Sequence, residues 1–164
     1  MNVIKANIVD IYKAGKIVCA TTNGFVKKNG EGVCGKGNAL ALATYIPGLK
    51  FALGRHISVR GNVVGFIADR VIAFPTKPST GTINELMTNC RIKFKKGELV
   101  PGFWCKSDLK LIESSMEQLN KLIETSNLEE VYLPVPGVAN GQLSYADVEP
   151  ILKKGSSKII FVSL

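Results

Sequence analysis

Ala20-Thr-Thr-Asn-Gly-Phe-Val-Lys-Lys-Asn-Gly-Glu-Gly-Val-Cys-Gly-Lys-Gly-Asn-Ala-Leu-Ala-Leu-Ala43 is the stretch on which the fold turns. It follows Ile17-Val-Cys-Ala-Thr-Thr22, an apolar, β-branched run that reads as a buried strand. It ends in the small apolar segment Asn38 to Tyr45, which reads as a helix. Gly30, Gly32, Gly35 and Gly37 fall between the two and let the backbone approach a ligand with no Cβ in the way. A strand, a glycine-rich turn and a helix start make a phosphate cradle, because the free N–H groups and the positive dipole end of the helix face one small volume. The loop is expected to bind a phosphate or pyrophosphate; the bland reading is a βα turn without a ligand.

Two nucleotide motifs fit the loop in part. Gly30-Glu-Gly-Val-Cys-Gly35 has the G-x-G-x-x-G form of a dinucleotide site, but the insert Asn23 to Gly30 separates it from the strand. The position where an acidic residue should meet the ribose is Lys50. Gly30 to Lys36 also fits a P-loop up to its last position, where Gly37 replaces the Ser or Thr that would hold Mg²⁺. The apolar strands Val71-Ile-Ala-Phe74 and Val131-Tyr-Leu133 run into Pro75 and Pro134 rather than into an aspartate for the metal. A P-loop nucleotidase is therefore a distant reading.

The 164 residues suit one domain with a core between sheet and helices and no need of disulfide or metal staples. With 46% apolar and 21% charged residues the chain has the composition of a globular protein. A formal charge of +8 and a pI near 9.4 favour an acidic partner such as a nucleotide or nucleic acid. The four cysteines, Cys19, Cys34, Cys90 and Cys105, show no C-x-x-C spacing, and His56 is the one histidine, so a zinc site is not expected. Cys19 reads as a core residue and His56 as structural. No run is long and apolar enough to span a membrane, and no signal region leads the sequence, so a reducing cytoplasm is the expected location.

Along the chain, strands and helices alternate. Val3 to Ile8 reads as a first strand, Tyr12 to Lys16 as a turn or short helix, and the helix from Asn38 stops before Pro47-Gly48. Ile57-Ser-Val59 and Val63 to Ile67 read as strands of a hairpin turning at Arg60-Gly61-Asn62, followed by a strand from Arg70 to Phe74. From Ser107, read as an N-cap, Leu109, Ile112, Met116, Leu119 and Leu122 recur at helical spacing. Val131 to Leu133 is a short strand, Ser144-Tyr-Ala-Asp147 a capping box opening a helix to Lys154, and Lys158 to Val162 a last strand. This alternation argues for an α/β sandwich with a mainly parallel sheet.

Two further stretches bear on function. In Val71-Ile-Ala-Phe-Pro-Thr-Lys77 a lysine stands just past a buried strand end, where ligands sit in α/β sheets. Partly desolvated near other cations, it could act as nucleophile or base, although most lysines are solvated surface. Leu133 to Asp147 carries a glycine- and asparagine-rich loop between a strand and a capped helix, either a second anion site facing the first or an ordinary βα connection. Ser79 to Trp104 breaks the rhythm with a basic alternating run, Arg91-Ile-Lys-Phe-Lys-Lys96, and an apolar tip, Gly102-Phe-Trp104. It reads as an excursion, a lid or an added hairpin, whose basic strand either tracks a phosphate backbone or keeps an edge soluble.

Asn23 followed by Gly32-Val-Cys-Gly-Lys-Gly-Asn-Ala-Leu-Ala, the strand end Phe74-Pro-Thr-Lys77 and the late loop Pro134 to Tyr145, in this order, resemble the macro domain family. Within it they look like the branch of DNA ADP-ribosyl glycohydrolase antitoxins and phage and bacterial ADP-ribose phosphatase-like proteins. The likeness runs over most of the chain, with 79–104 outside it, and implies a single macro domain over 1–164 with an excursion at 79–104. It implies a three-layer α/β/α sandwich with a mixed, mainly parallel central sheet, and ADP-ribose or an ADP-ribosylated substrate as partner. Nucleic acid is a further candidate partner, and neither metal nor cofactor nor membrane is implied. Asn7 and Ile8 would meet the adenine. Gly35, Lys36 and Gly37 would hold the distal ribose and pyrophosphate, Asn23 would address the distal ribose, and Gly137 to Gly141 would close the phosphate side. Thr22, Gly32, Val33 and Cys34 complete the early part of the ligand set, and Pro136, Val138, Ala139 and Asn140 the late part. Lys77 matches the lysine that takes part in cleaving the ADP-ribosyl bond, so Lys77 and Asn23 are the catalytic candidates.

The late loop departs from the family. Gly137-Val-Ala139 stands where relatives have Gly-Cys-Gly, and Leu143-Ser-Tyr145 where they have Leu-Asp-Trp, which leaves no carboxylate in the loop for general acid or base work. Two functions follow: a hydrolase of an ADP-ribose derivative, favoured by Asn23 and Lys77, or a non-catalytic reader of ADP-ribose or a related nucleotide, favoured by the missing acid. Asp10 and Asp69 could serve only if folding brings them to the site.

Overall fold

The computed structural model describes residues 1–82, 85–86 and 98–163. Its elements are β1 (Asn2–Lys5), α1 (Ile8–Lys13), β2 (Ile17–Asn23), α2 (Gly37–Tyr45), α3 (Leu49–Arg60), β3 (Gly65–Ala68), β4 (Val71–Lys77), β5 (Thr80–Gly81), β6 (Val100–Pro101), α4 (Leu109–Thr125), β7 (Val131–Pro134), α5 (Tyr145–Leu152) and β8 (Ile159–Ser163). Among them a six-stranded sheet runs in the order β1-β8-β7-β2-β4-β3. All its pairs are parallel except β3 with β4, so the sheet is mixed and mainly parallel, as expected.

Strand alternation divides the core into two. Cys19, Ile72, Phe74, Leu133 and Phe161 point to one face, where Ile112, Met116, Leu119 and Ile123 of α4 and Val148, Ile151 and Leu152 of α5 cover them. Val18, Ala20, Val71 and Ala73 point to the other, against α1, α2 and α3 through Ile8, Ile11, Leu42, Leu49 and Leu53. Each strand residue switches face with its neighbour, which is why the central strands read as unbroken apolar runs. The result is the three-layer α/β/α sandwich.

Several boundaries differ from the sequence reading. The first strand stops at Lys5, because the Asn7 side chain accepts from the N–H groups of Val9 (2.9 Å) and Asp10 (3.3 Å) and starts a helix at Ile8. Ile57 to Val59 are the last full turn of α3, not a strand. The i, i+4 burial of Leu49 and Leu53, continued by His56, fixes a helical face that outweighs the β-branched tail, and Gly61, at φ +92°, ends it. The hairpin is instead β3 to β4, turning at Asp69-Arg70 with Arg70 at φ 59°. The cap of α4 is Asp108, whose carboxylate accepts from Lys110 and Leu111, not Ser107. The Ser144–Asp147 capping box forms as read, and the helix it opens ends at Leu152 rather than Lys154. Of the excursion, β5 and β6 pair antiparallel at its base, while Cys90 and the basic run Arg91 to Lys96 lie outside the described residues.

Candidate functional site

The C-terminal ends of the parallel strands open on a cleft of about 720 Å³. One wall is Val33 to Asn38, leading into α2. A reciprocal pair holds it to β2: Asn38 Nδ2 donates to Thr21 Oγ1 (2.8 Å) and Thr21 N–H donates to Asn38 Oδ1 (2.9 Å). No side chain caps the N-terminus of α2 and no acidic residue stands in its first turn, so that end favours an anion. The opposite wall is Gly137 to Gly141, folded by Gly141 N–H to the Val138 carbonyl (3.2 Å) and Leu143 N–H to the Gly137 carbonyl (2.9 Å). The two backbone walls therefore face each other across one cavity.

Between them lie Thr22, Asn23, Thr76 and Lys77 at the ends of β2 and β4, and Asn7 and Ile8 line the far end, beside β1. Asn23 is buried; its Nδ2 donates to the Val33 carbonyl (3.0 Å) and its Oδ1 accepts from Phe25 N–H (3.0 Å). It thus ties the start of the Asn23 to Gly30 insert to the first residue of the cleft-lining loop. Lys77 is half-buried, and its Nζ donates to the Phe103 carbonyl at 3.3 Å. Thr76 Oγ1 donates to the Thr22 carbonyl (3.3 Å), and the buried Thr22 hydroxyl has no partner among the described residues.

Two expected residues do not line the cleft. Gly32 turns away onto α3: its N–H donates to the Lys50 carbonyl (2.8 Å), and a Cβ there would stand 2.7 Å from Leu53. Pro136 is buried behind the late wall. The position of Gly32 also removes the geometry that both nucleotide motifs need. Gly30 closes a small turn, N–H to the Lys27 carbonyl (2.9 Å), packed on α3 away from the cavity, so only Val33 to Gly37 of the glycine-rich run borders it.

Other residues outside the expected ligand set also line the cleft. Phe103 and Trp104 form a third wall, with rings 5.4 Å apart, and Phe25 meets Phe103 edge-on at 5.5 Å. The apolar tip was visible as a motif, but its return to the cleft depends on Gly102 N–H bonding the Ser79 carbonyl (2.8 Å), which sequence does not show. Ser107 and Tyr145 join them. Among the described residues the thiols of Cys19, Cys34 and Cys105 are buried. Burial pushes Cys34 up to about 11, with Glu31 adding to it and Lys50 opposing, and burial likewise raises Cys19 and Cys105. His56 is buried with Nε2 2.7 Å from the Val63 carbonyl, a structural place. Asp10 and Asp69 are exposed and do not line the cleft. Among the described residues no group of His, Cys, Asp and Glu could hold a metal ion, and no helix is long and apolar enough to cross a membrane.

A mixed sheet between two helical layers, with two glycine-rich loops closing over its strand ends, is the macrodomain fold. Among solved structures the chain is similar to the macrodomain of Mycobacterium tuberculosis DarG, at 20% identity and a TM-score of 0.67, covering 98% of this chain and 95% of that one. The macrodomain of Thermus aquaticus DarG is similar at 18% identity and a TM-score of 0.60, over 99% of this chain and 95% of the other. Thermosipho africanus DarTG in complex with ADP-ribose aligns at 15% identity and a TM-score of 0.61, over 90% of this chain and 37% of that protein. No protein-family model and no curated protein matches the sequence.

Proposed function

We propose that the cleft binds ADP-ribose and that the protein, as one macro domain over 1–164 with its excursion at 79–104, hydrolyses an ADP-ribose derivative. The observation that carries the reading is the meeting of both glycine-rich walls, Val33 to Gly37 and Gly137 to Gly141, on a single cavity with Lys77 at one end. Two opposed glycine-rich backbone walls, one leading into the uncapped N-terminus of α2, suit a pyrophosphate, and the ADP-ribose complex of Thermosipho africanus DarTG supports the choice of ligand. Asn7 and Ile8 take the adenine end. Lys77, placed at the other, is the residue to act on the bond at the distal ribose, either an ADP-ribosyl link to nucleic acid or protein or a 1″-phosphate. The bacterial sources of the similar structures support a bacterial or phage origin, and the cytoplasm is the place of work that this reading assigns.

A second reading, a non-catalytic reader, draws on one observation: Gly137 to Tyr145 contains no carboxylate, so a hydrolase here would act without an acid from that loop. Calorimetric titration with ADP-ribose, followed by incubation with ADP-ribosylated DNA, ADP-ribosylated protein and ADP-ribose 1″-phosphate, separates the two. Absence of ADP-ribose binding would end both; binding without turnover of any of the three would leave the reader.

A further inference from the structure

Ser107 stands one residue before the cap of α4 and caps nothing itself. Asp108 holds the first N–H groups of α4, which frees the Ser107 hydroxyl from the local backbone bond such serines usually make. Its backbone is fixed from two sides: its own N–H donates to the Gly141 carbonyl (3.0 Å), and the next N–H, of Asp108, donates to the Thr76 carbonyl (2.9 Å). Ser107 is thereby held between the late loop and the end of β4, one residue along that strand from Lys77. It is 7% exposed, and it lines the cleft.

The late loop leaves room for this hydroxyl. A Cβ at Gly141 would stand 2.2 Å from Ser107 Oγ, so any other residue there would displace one or the other. No hydrogen bond to Oγ is made by the described residues. A nearly buried hydroxyl that is held in place, given space and left without a protein partner points to a bond made by whatever fills the cavity.

We infer that Ser107 contacts the ligand, its hydroxyl bonding a hydroxyl of the sugar distal to the adenosine. This rests on the ADP-ribose reading: with adenine at Asn7 and Ile8, the β4 end of the cleft receives the distal ribose. A serine hydroxyl both donates and accepts, which matches a sugar hydroxyl, and it acts beside Lys77 without needing the carboxylate the late loop lacks. Ser107 then sets preference for ADP-ribose over ADP, which ends at the pyrophosphate.

The test is calorimetric titration of wild type, Ser107→Ala and Gly141→Ala with ADP-ribose and with ADP, alongside thermal melts. Ser107→Ala is expected to weaken ADP-ribose roughly threefold to tenfold, the range for one uncharged hydrogen bond, with ADP unchanged and the melting temperature not lowered. Gly141→Ala is expected to weaken ADP-ribose at least as much. Equal ADP-ribose affinity in wild type and Ser107→Ala, or an equal loss for both ligands, overturns the Ser107 assignment and leaves the ADP-ribose reading standing. A wild type that binds no ADP-ribose removes both.

Discussion

Asn23 and Lys77 stand opposite each other across β2 and β4, and they do so only because β4 carries one extra residue there: Thr22 pairs with Pro75 but Asn23 pairs with Lys77, with Thr76 bulged between. A bulge re-aims the side chains that follow it, here at the mouth of the cleft. The two residues differ in what they already do. Asn23 has both polar atoms engaged with the loop, and Lys77 reaches the Phe103 carbonyl. If the protein is a hydrolase, Lys77→Ala should lower turnover by roughly 10²-fold or more in a variant that remains folded by its thermal melt. Asn23→Ala should cost about 1–3 kcal/mol of stability through two lost buried bonds. Thermal melts and turnover assays on both variants check this; a Lys77→Ala enzyme as fast as wild type takes the lysine out of the mechanism.

Gly54 offers a test of how the early loop is seated. In a helix interior, Gly→Ala normally gains about 1 kcal/mol. A Cβ at Gly54, however, would stand 1.8 Å from the Gly30 carbonyl oxygen and 2.9 Å from Gly32 N, both backbone. Overpacking of about 1–3 kcal/mol exceeds the propensity gain. Gly54→Ala should melt lower than wild type and bind ADP-ribose less tightly, because the turn it displaces leads into Val33 to Gly37. A higher melting temperature would mean that the turn yields without cost.

Much of this was legible in the sequence because it depends on local chemistry. The capping box at Ser144, the helix after Gly37 and the buried strands follow from periodicity and from side chains that bond nearby backbone, whereas the two loops on one cleft rest on the family resemblance. What was not legible depends on tertiary packing. The α3 helix hides behind a glycine and a β-branched tail, and its register is set by Leu49, Leu53 and His56 against the sheet. Ser107 and Asp108 are both good caps, and only the pull of Gly141 and Thr76 on their N–H groups decides between them. The tip Gly102-Phe-Trp104 is visible in the sequence as part of an excursion, a lid or an added hairpin, but that it forms a wall of the cleft depends on the Gly102–Ser79 backbone bond, which nothing local announces.

Asp147 gives an acid-side expectation with a definite sign. Its carboxylate accepts from Ser144 N–H at 3.0 Å, and that bond first, then the Ser144 side chain, holds it below the usual carboxylate range. A depressed folded-state value means the contribution is present above the unfolded carboxylate range near pH 4 and is lost as pH falls through the lowered value. Denaturant midpoints for wild type should exceed those of Asp147→Asn at pH 7, and the gap should close as pH drops below about 4. A gap independent of pH would mean that the carboxylate is not the source.

Cys34 borders the cleft yet is 3% exposed, with its thiol pushed up to about 11 by burial. It should stay unalkylated by iodoacetamide in the native protein at pH 7 and react once denatured, as read by peptide mass mapping. The sign in base is the reverse of that for Asp147: burial of the neutral thiol favours folding in full below the ordinary value near 9 and is lost as pH rises towards about 11. Cys34→Ala should flatten the decline in stability between those limits; a decline just as steep would assign it to other groups.

Trp104 is the chain's one tryptophan, and it lines the cleft beside Phe103, on the wall nearest the Lys77 ammonium. All indole emission therefore comes from a single place on the proposed site. A ligand that reaches the β4 end must alter water access to that ring, because the cavity it enters is the one Trp104 borders. ADP-ribose should change the emission with the same midpoint that calorimetry gives, and AMP, which stops short of the distal ribose, should change it less at saturation. Trp104→Phe should abolish the signal while calorimetric binding persists. Tight binding of ADP-ribose with unaltered emission would place the ligand away from this wall, and with it would go the assignment of Lys77 to the reacting end.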